Sequence, residues 1–308
     1  MKIVFFGSSS FAVRCLARIL ESSYRVCAVI TQPDRKKGRH LKLAPTPVKS
    51  WAVEKKLKVH DPETVSDAAT IDLLKSFEAD LFVVVSFGQI LPREIIDIPS
   101  IYSINLHPSL LPKYRGAAPV NWAIINGETR TGLTIIRMNE KMDAGDIILQ
   151  RKVDIHDEDN AGTLNERLSM LGSILLTDAI RFIETGRVKF KKQDEKKATL
   201  APRLKKEDGV INWKNRATDI RNRIRGTVPW PGAYTYFYDK KVNIWGAGVI
   251  DGEGQPGEIL ETEEGLLVGT GKGILKIEEM QIEGKKRMSA PVFLRGYREM
   301  KKGAKFDV

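Results

Sequence analysis

Five consecutive residues, Leu81-Phe82-Val83-Val84-Val85, are apolar without interruption, and all but one are β-branched or aromatic. A run this short and uniform suits a parallel strand covered on both faces, because a strand with one wet face alternates instead. Such a strand needs neighbours of its own kind joined by helices. The sequence supplies them, with buried-strand runs at residues 2–6 and 25–30 and an amphipathic helix at 11–20. Further helices are predicted near 47–56, 66–77, 117–126 and 162–185, and strands near 101–105, 132–138 and 146–153. The alternation predicts an α/β fold: a doubly wound, Rossmann-like domain over residues 1–188.

Beyond that point the texture changes. Residues 189–208 are rich in Lys, Asp and Glu and include Pro202, the composition of a solvated linker. Over 209–308, short strand-like runs alternate with Gly-rich turns: Ala233–Tyr238, Val242–Trp245, Gly257–Leu260, Gly265–Val268 and Gly273–Ile277. This spacing predicts a smaller, OB-like β-barrel domain, with short helices near 215–225 and 289–296.

Charge separates the two parts. The net charge is +11, and most of the excess falls after residue 186. A basic second domain suggests a polyanionic partner, of which nucleic acid is the commonest. No run approaches the roughly 20 apolar residues that span a bilayer. Met1 leads almost directly into the first strand, which leaves no room for a cleavable signal, so the chain is read as cytoplasmic. Cys15 and Cys27 form no disulfide framework and are read as small core residues. His40, His60, His107 and His156 lack ligand spacing, so no metal is predicted. Gly7-Ser8-Ser9-Ser10 follows the first strand without the further glycines of a dinucleotide fingerprint, and NAD is not expected.

The stretch from Ser103 to Pro119 is the most informative for chemistry. An apolar strand ends in Asn105 and His107, two residues apart, which project to the same side at the carboxyl edge of a parallel sheet. Pro108 and Pro112 stiffen a loop that ends in Arg115-Gly116. Taken alone, an Asn/His pair at a strand end is more often structural than functional. The same holds for Met142-Asp143-Ala144-Gly145-Asp146, which alone reads as a turn between two strands.

Together these residues carry a resemblance. Asn105-Leu106-His107-Pro108-Ser109-Leu110-Leu111-Pro112, followed by Lys113-Tyr114-Arg115-Gly116, resembles the signature of the folate-dependent formyltransferase family. The Asp143 turn falls where that family carries its catalytic aspartate. Gln32-Pro33-Asp34-Arg35, Pro45–Lys49, Trp230-Pro231 and Lys285–Ala290 resemble the branch that formylates Met-tRNA, so the resemblance extends over almost the whole chain. It implies 10-formyltetrahydrofolate as co-substrate and Asn105, His107 and Asp143 as catalytic residues. It further implies folate contacts at Phe87, Gly88, Gln89, Ile90 and Leu91, and at Ser109, Leu110, Leu111 and Pro112. The implied acceptor is initiator Met-tRNA, and the chain is taken as a monomer.

Formyl transfer to an amine passes through a tetrahedral carbon bearing an oxyanion. The site needs a donor for that oxygen and a path for protons. Asn105 supplies an amide N–H, His107 a second donor when protonated, and Asp143 holds the imidazolium and relays protons. The nucleophile is an α-amine of ordinary pKa about 7.7–8.0, partly neutral at neutral pH. No covalent enzyme intermediate is required.

The loop from Thr31 to Lys49 carries Arg35, Lys36, Lys37, Arg39, Lys42 and Lys49 against the single acid Asp34. Its charge alone fits a solvated loop equally well. By the resemblance, Arg35, Lys36, Lys37, Arg39 and Lys42 would meet the acceptor end of tRNA. Three other readings stay open. One keeps the chemistry with glycinamide ribonucleotide or an amino-sugar nucleotide as acceptor, one is a folate hydrolase, and one is a non-catalytic RNA-binding protein.

Overall fold

A computed structural model describes residues 1–37, 42–261 and 265–307. The chain divides into two compact units. The first takes Met1–Ala117, Thr131–Asp154 and Asn165–Ala201; the second takes Ala118–Arg130, Ile155–Leu164 and Pro202–Val308.

The first unit begins with β1 (Lys2–Gly7), α1 (Ser10–Leu20) and β2 (Arg25–Ile30). Ser9 caps α1 by accepting the Ala12 N–H at 3.3 Å, and the helix buries Phe11, Ala12, Cys15, Leu16 and Ile19 on one stripe. A small hairpin follows, β3 (Arg35–Lys37) with β4 (Lys42–Ala44), then α2 (Pro47–Glu54), β5 (Val59–His60) and α3 (Ala68–Ser76). Next come β6 (Leu81–Val85), α4 (Arg93–Ile96) and β7 (Tyr102–His107). After α5 (Pro119–Ile125) the chain forms β8 (Arg130–Arg137), β9 (Ile147–Asp154) and α6 (Ala161–Glu184).

The sheet order is β5-β2-β1-β6-β7-β8-β9. The five strands from β5 to β7 run parallel, and β8 is antiparallel to β7. All five residues of β6 are buried, as a central strand covered on both faces requires. Strand order reverses between β1 and β6, which opens the ligand crevice of a doubly wound fold at the carboxyl ends of β1, β6 and β7. Cys15 is fully buried, and burial pushes its thiol well above the ordinary range. Cys27 is only partly buried, against a core that includes Val4, Phe6 and Phe82.

The second unit holds α7 (Ala217–Thr227), β10 (Ala233–Phe237), β11 (Lys240–Ile250), β12 (Ile259–Glu261), β13 (Leu266–Gly269), β14 (Ile274–Ile282), β15 (Met288–Ser289) and α8 (Ala290–Gly296). The antiparallel order is β10-β11-β14-β13-β12, with β15 on β14. It curls into a half-barrel around a core that includes Trp213, Val242, Ile244, Leu275 and Phe293. Strands β10 and β12 do not pair; residues 303–307 lie between them. On one side Ile259 N–H donates to Ala304 O at 2.8 Å and Phe306 N–H to Gly257 O at 2.9 Å. On the other, Asp307 N–H donates to Tyr236 O at 3.0 Å. Phe306 is buried between these edges and stacks on Trp213 with centroids 5.3 Å apart. The strand–helix alternation counts α5 with the first part of the chain, but α5 packs on α7 in the second unit. There Asn121 donates to Gly226 O at 2.8 Å, and Gly226 leaves room for the Ile125 side chain.

Candidate active site

Asn105 and His107 stand at the end of β7, and the backbone register sets them opposite Ile136 and Thr134 of β8. Both reach the same partner. Asn105 Nδ2 donates to Asp143 Oδ1 at 3.1 Å, and His107 Nδ1 lies 3.5 Å from Asp143 Oδ2. A carboxylate only accepts, so Asp143 fixes which end of the Asn105 amide faces it. The His107 ring is nearly buried, and its Nε2 sits 2.8 Å from the Tyr114 carbonyl oxygen. A carbonyl also only accepts, so Nε2 carries a hydrogen and Nδ1 is the ring nitrogen left for proton chemistry. The Nδ1–Asp143 separation is long for a hydrogen bond, which leaves Nδ1 able to address a third group.

Asp143 is held from several directions. Its Oδ2 accepts Gly116 N–H at 2.8 Å, and its carbonyl, with that of Gly145, accepts Gln193 Nε2 at 2.8 Å each. The residue adopts φ +51°, a left-handed conformation that few non-glycine residues hold without support. Two residues on, a Cβ at Gly145 would collide with the Arg137 carbonyl, so only glycine permits the turn. The Asp-x-Gly-Asp spacing thereby acquires a physical reason.

Arg115 is the anchor of this arrangement. It is buried and donates to Gln193 Oε1 at 2.8 and 3.1 Å and to both Glu195 carboxylate oxygens at 2.9 and 2.8 Å. The Arg115 guanidinium holds the Glu195 carboxyl below its ordinary range. Gln193 and Glu195 belong to the stretch whose composition reads as a solvated linker. Instead, Lys191 bridges to Ile147 and Leu200 to Arg115, which threads that stretch along the first unit. Sequence reasoning missed these residues because their value lies in contacts with residues about 50 and 80 positions earlier.

The loop Ser109–Pro112 is equally built. Ser109 is buried, with Oγ donating to Lys113 O at 2.6 Å. Thr134, also buried, donates to Ser109 O at 2.6 Å and accepts Leu111 N–H at 3.2 Å, while Gln150 donates to Leu111 O at 3.0 Å. Leu111 packs with Ile136 and Ile147. Gly132 lets Leu110 cross β8, since a Cβ there would strike the Leu110 side chain. Neither Thr134 nor Gln150 carries a sequence signal.

Across the crevice the segment 87–91 follows β6. Phe87 and Leu91 are buried, Gly88 takes φ +92°, and Ile90 is 75% exposed. Gln89 is tied back to the 62–65 loop, accepting Val65 N–H at 2.8 Å. A cavity of about 570 Å3 opens beside the Asp143 turn, lined in part by Arg93, Ile96, Met138, Ala144 and Asp146.

The basic loop forms the β3–β4 hairpin, with Arg35 opposite Ala44, Lys36 opposite Leu43 and Lys37 opposite Lys42. Lys36 and Lys42 are exposed, and Arg35 pairs with Glu63 at 2.8 Å on the surface. Arg39 lies outside the described residues. Lys49 is an anchor at the base of the loop, bonded to Asp34 and Asp61 at 2.7 and 2.8 Å, which hold its ammonium above the ordinary range. Among the described residues no group of three His, Cys, Asp or Glu side chains converges as a metal set. Nor is any helix among them long and apolar enough to cross a membrane.

Comparison with known proteins adds to this geometry. The profile of the formyl transferase family matches residues 1–180, and that of the formyl transferase C-terminal domain matches 203–298. The chain is 43% identical over 299 residues to the methionyl-tRNA formyltransferase of Geobacter sulfurreducens, covering 97% of this chain and 94% of that one. It is 44% identical over 301 residues to the enzyme of the same name from Syntrophus aciditrophicus, covering 97% and 96%. Among solved structures, a sugar 3N-formyl transferase crystallised with dTDP and 5-N-formyl-THF superposes with a TM-score of 0.68 at 22% identity, covering 93% of this chain and 99% of that one. HypX from Aquifex aeolicus in complex with tetrahydrofolic acid gives 0.62 at 20% identity, covering 100% and 48%. At that identity the two structures speak for the fold alone.

Proposed function

The chain belongs to the formyl transferase family, and on that premise we propose that it moves a formyl group from 10-formyltetrahydrofolate to the methionyl amino group of initiator Met-tRNA. The observation that carries the chemistry is the convergence of Asn105 and His107 on one carboxylate, Asp143. The acceptor is supported by the relatives named above, each matched over 97% of this chain.

In this mechanism the neutral α-amine attacks the formyl carbon, a C–N bond forms, and the formyl oxygen becomes an oxyanion. Asn105 Nδ2 has two hydrogens. One is held by Asp143, and the other meets the oxyanion. His107, with Nε2 committed to Tyr114 O, offers Nδ1–H as a second donor when protonated. Asp143 faces that nitrogen and takes the amine proton, through water, as the tetrahedral carbon forms. The bond to the folate nitrogen then breaks, and that nitrogen collects a proton by the same route. Proton and formyl group exchange between two amines, so no residue is acylated.

The folate lies against Phe87–Leu91 and Ser109–Pro112. The basic residues Arg35, Lys36, Lys37, Arg39 and Lys42 of the 31–49 stretch approach the acceptor end of the tRNA. The basic stretch from Pro202 onward, which belongs to the second unit, adds phosphate contacts. A formyl-transfer assay with 10-formyltetrahydrofolate decides among acceptors, with initiator Met-tRNA, elongator Met-tRNA, glycinamide ribonucleotide and an amino-sugar nucleotide run in parallel. The expected result is transfer to initiator Met-tRNA above all others. Transfer to the sugar or to glycinamide ribonucleotide alone would overturn the choice of acceptor, and release of formate with none would point to a hydrolase.

A further inference from the structure

Gln32 is the residue of the crevice that the mechanism does not use. Its amide nitrogen, Nε2, is buried and has no hydrogen-bond partner among the described residues. Buried side-chain amides in folded proteins are nearly always paired, and an unpaired one calls for a functional account. The backbone of the residue is firmly held. Its backbone N–H donates to Ser8 Oγ at 3.1 Å, and Ser8 Oγ donates to Phe87 O at 2.9 Å. The preceding Thr31 is fully buried, and its hydroxyl shares a hydrogen with Thr46 at 2.7 Å. Thr46 in turn caps α2. Three loops at the carboxyl edge of the sheet are thus pinned together around Gln32: the one after β1, the one after β2 and the one after β6.

The neighbour of the unpaired amide is Gly88. A Cβ placed there would lie 3.7 Å from Nε2, in ordinary van der Waals contact, which sets the amide beside the 87–91 segment. The terminal torsion of glutamine is broad, so the carboxamide turns toward an arriving acceptor atom without moving its anchored backbone.

Position decides which substrate it serves. By strand order Gln32 leaves β2, the 87–91 segment leaves β6, and Asn105 and His107 leave β7. Gln32 is therefore set off from the Asn105–His107 pair by three strand spacings, roughly 14 Å. It lies on the side of the sheet from which the β3–β4 hairpin rises three residues later. We infer that the Gln32 carboxamide is a specificity-determining donor that holds the aminoacylated end of the acceptor, through its ester or ribose oxygens, between the hairpin and the folate segment. This rests on the acceptor being a tRNA. The backbone clamps at Ser8 and Thr31 serve to hold the donor at a fixed distance from the reacting carbon.

The test compares wild type with Gln32→Ala and Gln32→Glu, the latter replacing the donor with an acceptor of the same length. Three quantities are measured: kcat/KM for Met-tRNA at saturating 10-formyltetrahydrofolate, the Kd of 5-formyltetrahydrofolate by calorimetry, and Tm. Both variants are expected to lose about tenfold or more in kcat/KM for Met-tRNA, with the folate Kd within twofold of wild type and the Tm of Gln32→Ala not lowered, since that variant breaks no hydrogen bond. Unchanged kcat/KM in both variants, or a weakened folate Kd with tRNA use intact, would overturn the inference. A lowered Tm with parallel losses for both substrates would assign Gln32 a structural role and overturn it too. If the wild-type protein itself transfers no formyl group to Met-tRNA, it is the proposed function that fails, and the two failures are told apart by the wild-type arm.

Discussion

Asn105 divides its two amide hydrogens between Asp143 and the developing oxyanion, and it is only partly buried, so removing it costs chemistry far more than folding. Asn105→Ala should lower kcat by about 10²–10³-fold, measured in single turnover, with Tm within a few degrees of wild type. Gln193 acts at one remove, through the two carbonyls that flank the turn. Gln193→Ala should reduce kcat about tenfold while leaving KM for folate and for Met-tRNA nearly unchanged, because the Asp143 carboxylate loses its position and no substrate contact is lost. At this scale the sequence was half legible. The strand end at Asn105 and His107 and the Asp-x-Gly-Asp turn each read as structural taken alone; only their resemblance to a known signature joined them. Gln193, Glu195, Thr134 and Gln150 were invisible, because nothing local distinguishes a clamp from a solvated polar residue.

Among elements, periodicity located β1, α1, β2, β6 and β7 well because each buries a continuous face. It missed β3 and β4, whose Lys-rich sequence has no apolar face to alternate, and it assigned α5 by chain order where packing on α7 assigns it otherwise. The last residues of the chain carried no strand signal either. Their ordering comes from the two sheet edges they lie between, and Phe306 is the side chain that secures them. Phe306→Ala should destabilise the protein by roughly 3–5 kcal/mol in a denaturant titration, the cost of an emptied aromatic site in a core. A loss below about 1 kcal/mol would show that the segment contributes little to the half-barrel.

Over the whole molecule, the charge distribution makes a separate claim. The excess positive charge sits mostly beyond residue 186, with a second concentration on the hairpin loop. Phosphate contacts release counterions, so the Kd for Met-tRNA should weaken by about tenfold or more between 50 and 200 mM salt, while the Kd for 5-formyltetrahydrofolate moves far less. Equal salt dependence for the two ligands would remove the electrostatic role from both basic regions. The doubly wound fold was legible because it rests on burial periodicity, and the polyanionic partner because it rests on composition; the division into units was not, because it depends on which distant segments pack together. The central claim is that the formyl carbon ends on the methionyl amine. It is tested most directly by incubating wild-type protein with 10-formyltetrahydrofolate labelled with 13C at the formyl carbon and initiator Met-tRNA, hydrolysing the ester, and weighing the released amino acid by mass spectrometry. The account predicts labelled N-formylmethionine in proportion to tetrahydrofolate formed, and little with Asn105→Ala. Unlabelled methionine with labelled formate in solution would contradict it.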